Sequence, residues 1–164
     1  MLETRDLSPY QDMIEGAYKS LVHPDFSFVK KVFNARPYDP LIKRLRDYGV
    51  VEELVEAEDD VCFSYLLKGQ SSLWRLDLSV VGPFGLFIRL KAKVGSSDFI
   101  HPGKGDITGY EAKVLGLLQS AGIKLLTTDE LNQRIPMTLY NTAKNKVRLY
   151  QALFSDREAQ PWEA

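Results

Sequence analysis

The chain has 164 residues, of which 45% are hydrophobic, 11% aromatic and 26% charged, with one cysteine. This composition excludes a disordered protein, and the length allows a single domain with a sizeable core. Basic and acidic side chains number 21 and 22, so no positive excess is present to hold a nucleic-acid backbone. No apolar run reaches the roughly 20 residues of a membrane span and no signal segment opens the chain, so we expect a cytoplasmic protein.

Three helices are predicted in the first third of the chain. The first opens at Ser8, where Ser-Pro-Tyr-Gln has the form of a capping box, and a His-Pro pair at residues 23–24 marks its stop. Asp25 is expected to cap a second, shorter helix. The third helix opens at an Asp-Pro pair at residues 39–40, with Gly49 as its left-handed terminator.

The middle third alternates with a period of two, which is typical of strands. Strand patterns begin at Val61, Trp74 and Phe84, and the short turns between them join antiparallel neighbours. A further strand is predicted within residues 50–57, which gives an antiparallel meander of three to five strands. We expect the apolar sets to share one face of the sheet. The polar set between them is expected to face water and comprises Arg75, Asp77, Ser79, Arg89, Lys91 and Lys93.

The last third returns to helical signals. A loop over residues 95–107 precedes a helix that begins at a capping box at Thr108 and ends at Gly122, and a second capping box at Thr127 opens a short helix. The segment from Val147 to Phe154 fits both periodicities. We favour a strand because β-branched and aromatic residues start it and the meander has an edge to cover, with a helix as the alternative.

These elements predict one α+β domain over residues 1–164. N-terminal helices precede the antiparallel meander, and the C-terminal helices are expected to pack on one face of the sheet.

The sequence carries no recognisable catalytic or metal-binding set. His23 and His101 both precede proline and stand far apart, and one cysteine with two scattered histidines does not supply a zinc site. Cys62 lies in a strand pattern, where we expect a buried and inert thiol. We therefore predict no cofactor and no metal.

One loop, residues 95–106, supports an alternative interpretation. If it lined a pocket, His101 would be the general base and Arg75 or Arg89 would bind an anion, as in an enzyme or a small-ligand protein. Its Gly-Lys-Gly sequence does not match a phosphate-binding loop, because the upstream glycine and the following Ser or Thr are missing.

The clearest charge feature is acidic. Six carboxylates fall within nine residues, and they are Glu52, Glu53, Glu56, Glu58, Asp59 and Asp60. We call this segment the acidic run. It would steer and dock a basic protein surface, because clustered like charge is relieved by a cationic partner. One alternative is a solvated edge that keeps a strand from pairing with other chains. Calcium binding is another, although the run lacks the spacing of a calcium loop.

The order of elements in the C-terminal part is helix, glycine, short apolar step, short helix and a Leu-Phe pair near the end. It extends over about 50 residues through 117–122, 125–126, 129–131, 135–136, 147–156 and 161–162. This order resembles small bacterial immunity proteins. The resemblance implies an α+β binding protein without catalytic residues, which neutralises one cognate toxin in the cytoplasm of the producing cell. It assigns no binding residue.

The first hypothesis is therefore an immunity protein, a non-enzymatic inhibitor that occludes a protein toxin. A toxin with a basic active-site cleft would suit the acidic run, and no direct contact with nucleic acid or membrane is expected. The alternatives are the small-ligand protein or enzyme with its site at residues 95–106, and an adaptor or chaperone subunit.

Overall fold

The computed structural model describes residues 8–54, 60–90 and 97–157. Its helices are α1 (Ser8–Tyr18), α2 (Ser27–Ala35), α3 (Asp39–Leu45), α4 (Gly109–Ser120), α5 (Thr128–Leu131) and α6 (Leu149–Leu153), with a 3-10 turn at Lys144–Lys146. Its strands are β1 (Val50–Glu53), β2 (Cys62–Lys68), β3 (Leu73–Ser79), β4 (Phe84–Leu90), β5 (Ser97–Phe99) and β6 (Lys124–Leu125). Helices around one mostly antiparallel sheet confirm the predicted α+β class.

Strands β1 to β5 lie side by side in chain order, each antiparallel to the next, and β6 pairs with β4 in parallel. The predicted meander is confirmed. β1 confirms the further strand as far as Glu53, whereas residues 55–59 lie outside the described part of the chain. β5 corrects the prediction of a continuous loop over 95–107, since Phe99 pairs with Ile88 of β4. Three residues are too few for alternation to predict a strand.

Helices cover both faces of the sheet. On the first face, α3 and α4 pack on side chains that include Phe63 and Leu76. On the second face, α1, α5 and α6 pack on side chains that include Cys62 and Leu86. The expectation that the C-terminal helices share one face is therefore wrong. The chain changes sides at β6 and the residue after it, where Leu125 joins the first cluster and Leu126 the second.

Strand β4 has the opposite phase to the prediction. Phe87 lies opposite Leu76, and Leu86 lies opposite Asp77. Leu86 thus points to the second face, whereas Leu76 and Phe87 point to the first. A shift of one residue exchanges the two side-chain sets of a strand. The pattern of β4 did not reveal this because apolar residues occupy both of its sets.

Helices α1, α5 and α6 cover the second face of the sheet, which corrects the prediction that its polar residues face water. Asp77 and Ser79 are each 1% exposed. Ser79 Oγ donates to the Leu153 carbonyl oxygen at 2.6 Å, and Arg75 Nε donates to Asp77 Oδ1 at 3.0 Å. These polar groups are satisfied within the protein, as burial requires. The lysines at 91 and 93 lie outside the described residues.

The favoured strand over Val147 to Phe154 is wrong, because the chain turns into helix α6 at Leu149. The start of the segment is extended, and the Val147 carbonyl oxygen accepts from Ile135 N at 2.9 Å. Gln151 Oε1 then accepts from Arg148 N at 2.8 Å and closes the first turn of the helix. All five residues of α6 are buried, and burial on every side removes the polar stripe that would have distinguished a helix from a strand.

Several predicted helix ends are confirmed and others move. The capping boxes at Thr108 and Thr127 both form, and Gly122 ends its helix with a φ of 75°. Gly49 does not serve as a left-handed terminator, since α3 already ends at Leu45 and Gly49 does not have a positive φ. The N-cap of α2 is Phe26, so Asp25, which was expected to cap this helix, lies one position before the observed cap.

The carboxylate of Glu111 is buried on the first face and is 0% exposed. It lies in the first turn of α4 and accepts from Thr108 N at 2.8 Å, Trp74 Nε1 at 2.7 Å and Arg89 Nε at 2.7 Å. Arg89 therefore lies on the face of Trp74 and not in the water-facing set predicted for it. Burial opposes ionisation of Glu111, but the hydrogen bonds from Arg89, Thr108 and Trp74 outweigh it and lower the pKa to about 2.

Candidate functional site

Half of the acidic run lies in the described part of the chain, and two of its members are paired with cations of the protein. Glu52 Oε2 lies 2.8 Å from Lys68 Nζ. Arg36 binds both oxygens of Glu53, each at 2.7 Å. These pairs reduce the negative potential at the start of the run. Glu56, Glu58 and Asp59 lie outside the described residues.

Asp60, the last member of the acidic run, is hydrogen-bonded to the C-terminal segment. It forms an isolated antiparallel bridge with Ser155, and Ser155 Oγ donates to Asp60 Oδ1 at 2.8 Å. The adjacent Val61 N donates to the Phe154 carbonyl oxygen at 2.8 Å. These bonds fix the end of the run beside the segment that follows α6.

A cleft of about 740 Å³ opens at this position, between α2 and residues 139–156. Its volume is in the range of pockets that bind ligands or short segments of a partner. The lining combines aromatic rings with carboxylates, among them Phe26, Phe33, Tyr140, Asp25, Asp60 and Asp156. We call it the α2 cleft.

Asp156 is the most buried carboxylate of the α2 cleft, with 7% of the residue exposed. Its Oδ2 accepts from Asn141 N at 2.9 Å, and its Oδ1 accepts from Thr142 Oγ1 at 2.7 Å. Both donors are neutral. Within residues 8–54, 60–90 and 97–157, no cation pairs with this carboxylate. Two hydrogen bonds hold its orientation, and a carboxylate has further acceptor sites available.

Asp25 also lines the α2 cleft and is more exposed than Asp156. It accepts from Ser27 N at 2.9 Å, and Lys19 Nζ lies 3.5 Å from its other oxygen. The hydrogen bonds with Ser27 and, to a smaller extent, the charge of Lys19 lower its pKa. Asp25 is therefore ionised at neutral pH. Of the described residues that line the cleft, Lys30 is the cation.

The exposed aromatic residue of the α2 cleft is Tyr140, which is 84% exposed. Its ring lies 5.3 Å from that of Phe26, at an angle of 31°, and Phe26 in turn contacts the buried ring of Tyr18 edge-on. The same two rings also line a smaller cleft of about 250 Å³, together with Val22 and His23. A large aromatic side chain at the rim of two depressions is typical of surfaces that bind proteins.

Sequence reasoning did not find most of this site. Of its carboxylates, only Asp60 was among the predicted partner-binding residues. Tyr140 and Asp156 lie in two short polar segments, one before and one after the apolar run 147–154, and exposure cannot be read from such segments. The one usable signal was the position of Asp60 at the end of the acidic run.

The residues of the alternative site at 95–106 do not come together. His101 Nδ1 lies 3.0 Å from the carbonyl oxygen of the neighbouring Pro102. Arg89 is bound to Glu111 on the first face of the sheet, whereas Arg75 is bound to Asp77 on the second. The two arginines expected to bind an anion thus lie on opposite sides of the sheet. Residues 91–96 lie outside the described part of the chain.

Cys62 is buried at the start of β2, as expected. Its Sγ lies 3.7 Å from Ser64 Oγ. Burial, together with the charge of Asp77, raises the pKa of the thiol well above its ordinary value. A protonated and inaccessible thiol is a poor nucleophile, which agrees with the prediction of an inert cysteine.

Among the described residues, no three His, Cys, Asp or Glu side chains are grouped so as to hold a metal ion. None of the helices in the described ranges is both long and apolar enough to cross a membrane. Comparison with known proteins does not assign the chain to a family. No family model matches the chain, and no curated protein or solved structure matches it significantly.

Proposed function

We propose that this protein acts by binding another protein, and that it neutralises a cognate bacterial toxin by occluding it. The observation that carries the proposal is the position of Asp60. It joins the acidic run to the α2 cleft, so that negative charge adjoins a concave surface bearing the exposed ring of Tyr140. The order of the C-terminal elements, which resembles that of immunity proteins, supports the same function.

The proposed mechanism is steric and electrostatic, and the protein transforms no substrate. The acidic run attracts a basic surface of the toxin and raises the rate of encounter. The α2 cleft and the ring of Tyr140 then supply the buried contacts that slow dissociation. In this proposal the complex forms in the cytoplasm of the producing cell, before the toxin is released.

A genetic experiment tests the function directly. Each gene adjacent to the one encoding this protein is expressed in a host bacterium, with and without this protein. The proposal expects one neighbouring product to be lethal alone and harmless when the two are expressed together. It is overturned if no neighbouring product is lethal, or if the lethality persists in the presence of this protein.

Stopped-flow association with the purified toxin tests the role of charge. One variant neutralises three acids of the run, and a control neutralises three exposed acids elsewhere, so that both change the net charge equally. The test set is Glu56→Gln, Glu58→Gln and Asp59→Asn, and the control set is Asp12→Asn, Glu15→Gln and Asp47→Asn. At low salt we expect the test set to slow association about tenfold and the control set to change it less than twofold. Equal rates for the two sets would show that the run does not steer the toxin.

A further inference from the structure

The buried carboxylate of Asp156 lacks a counter-charge within the described residues. Acidic side chains are rarely buried to this extent without a cationic partner, because the ionised form loses its hydration. The two neutral donors, Asn141 N and Thr142 Oγ1, orient the group but do not neutralise it. A cation bound in the α2 cleft would supply the missing charge.

The walls of the α2 cleft add a preference for one kind of cation. Phe26 and Tyr140 form a tilted aromatic pair beside the cleft, and Phe33 lies on the α2 side. Aromatic faces attract organic cations, and a planar guanidinium both stacks on a ring and donates several hydrogen bonds. An inorganic ion gains less from such walls, and no group of three metal-ligating side chains is present in the described ranges.

We propose that the α2 cleft binds an arginine side chain of the partner protein, with Asp156 accepting hydrogen bonds from its guanidinium and Tyr140 stacking on it. This inference rests on the proposed function, because it names the group through which the partner is held. The volume of about 740 Å³ accommodates the side chain together with its flanking backbone. Asp25 and Asp60 also line the cleft, and the basic residue that lines it within the described part of the chain is Lys30.

The test uses acetyl-arginine amide as the probe and the full-length protein labelled with nitrogen-15. We expect saturable shifts confined to amides of the α2 cleft, such as those of Val29, Lys30 and Asn141. Acetyl-citrulline amide has nearly the same shape without the charge, and acetyl-lysine amide has the charge without the plane. Citrulline is expected to leave the amides unshifted, and lysine to bind about threefold more weakly than arginine. Equal binding of arginine and citrulline, or shifts spread over the whole surface, would overturn the inference.

Two variants with matched controls locate the site. Asp156→Asn removes the charge, and Tyr140→Ser removes an exposed ring without disturbing the core. Each is expected to weaken acetyl-arginine amide about fivefold. The controls Asp12→Asn and Tyr48→Ser make the same changes outside the cleft and should leave binding unaltered. If Asp156→Asn fails to fold, Tyr140→Ser alone decides, and unchanged binding by that variant contradicts the proposal.

The outcomes separate this inference from the proposed function. If arginine binds in the α2 cleft but no neighbouring gene product is neutralised, the cleft assignment stands and the toxin hypothesis falls. If a toxin is neutralised with unchanged affinity by the Tyr140→Ser variant and acetyl-arginine amide does not bind, the function stands and the cleft assignment falls.

Discussion

The two faces of the sheet each bury a carboxylate beside an arginine, yet the two carboxylates differ in the direction of their pKa shifts. On the first face, hydrogen bonds overcome the effect of burial and lower the pKa of Glu111 to about 2. On the second face, burial raises the pKa of Asp77 above its ordinary value, although Arg75 works against that effect. Burial alone therefore does not set the protonation of an acid.

The difference follows from the secondary structure that carries each acid. Glu111 lies in the first turn of a helix, where backbone N–H groups lack helical partners, and Thr108 N donates to it. Asp77 lies within β3, between two hydrogen-bonded neighbours, where the backbone donors serve the ladder. It depends on the side chains of Arg75 and Ser64. A buried acid at a helix start is thus easier to keep ionised than one in a central strand.

The largest predicted effect is on the first face. Glu111→Gln should lower the free energy of unfolding by about 3 kcal/mol at neutral pH, because Arg89 would lose the carboxylate partner that is fully buried, whereas its partners Asp98 and Asp106 are partly exposed. Urea denaturation measures this loss. The exposed Glu15→Gln on α1 is the matched control and should change stability by less than about 0.5 kcal/mol. Equal losses of stability in the two variants would mean that the buried contacts of Glu111 contribute no more than those of an exposed glutamate.

The pH dependence of stability should identify Glu111 as the titrating group. Its pKa in the folded protein is about 2, below the ordinary value of 4.5, so its contribution is fully present above pH 4.5. That contribution is lost as the pH falls from 4.5 towards 2. Denaturation of the wild type across this range should therefore show a loss of about 3 kcal/mol that Glu111→Gln does not show. Parallel pH profiles for the two proteins would contradict the assignment.

On the second face we expect a substitution to change stability less, and the pH dependence of stability to have the opposite sign. Asp77→Asn is expected to cost about 1 kcal/mol, because the amide fills the same volume and Arg75 can extend to water. Since the pKa of Asp77 is raised in the folded protein, its ionisation weakens the wild type as the pH rises through that pKa. The deficit of the variant should then narrow as the pH rises above 3.8, the ordinary pKa of an aspartate. A deficit that widens over this interval would show that Asp77 is stabilised as an anion.

The smallest effects concern the two capping boxes, one on each side of the sheet. Thr108→Ala should cost about 1 kcal/mol, because it removes the acceptor of Glu111 N and loosens the turn that holds the buried acid. Thr127→Ala should cost about 0.5 kcal/mol, since its bond from Glu130 N is longer and its helix has only four residues. Thermal unfolding of the two variants measures which loss of stability is larger. A larger loss for Thr127→Ala would show that the cap at Thr108 does not help to hold the buried Glu111.

The sequence predicted the antiparallel meander and the helices that begin at recognisable capping residues, because these features depend on neighbours in the chain. It failed where tertiary contacts replaced local pattern. Residues 147–154 carry an apolar pattern that suits both states, and their first residues pair with the segment around Ile135 before α6 begins. The phase of β4 was equally undetermined, since both of its side-chain sets are apolar.

The candidate site was predicted only at Asp60. The rest of the α2 cleft joins residues from opposite ends of the chain, such as Asp25 and Asp156, whose proximity depends on how α2 and the segment after α6 cover the sheet. The acidic run was evident from composition. Composition did not reveal that two members of the run are paired with cations, Glu52 with Lys68 and Glu53 with Arg36.

By itself, then, the sequence determined the class of fold, the helix boundaries at Thr108, Gly122 and Thr127, and the position of a cluster of negative charge. These properties arise from short-range geometry and from residue type. Only the tertiary structure decided which face each strand presents, which acids are buried, and where an aromatic ring and a carboxylate form one cleft. Such outcomes require distant segments to compete for the same buried surface, and no local pattern records the result of that competition.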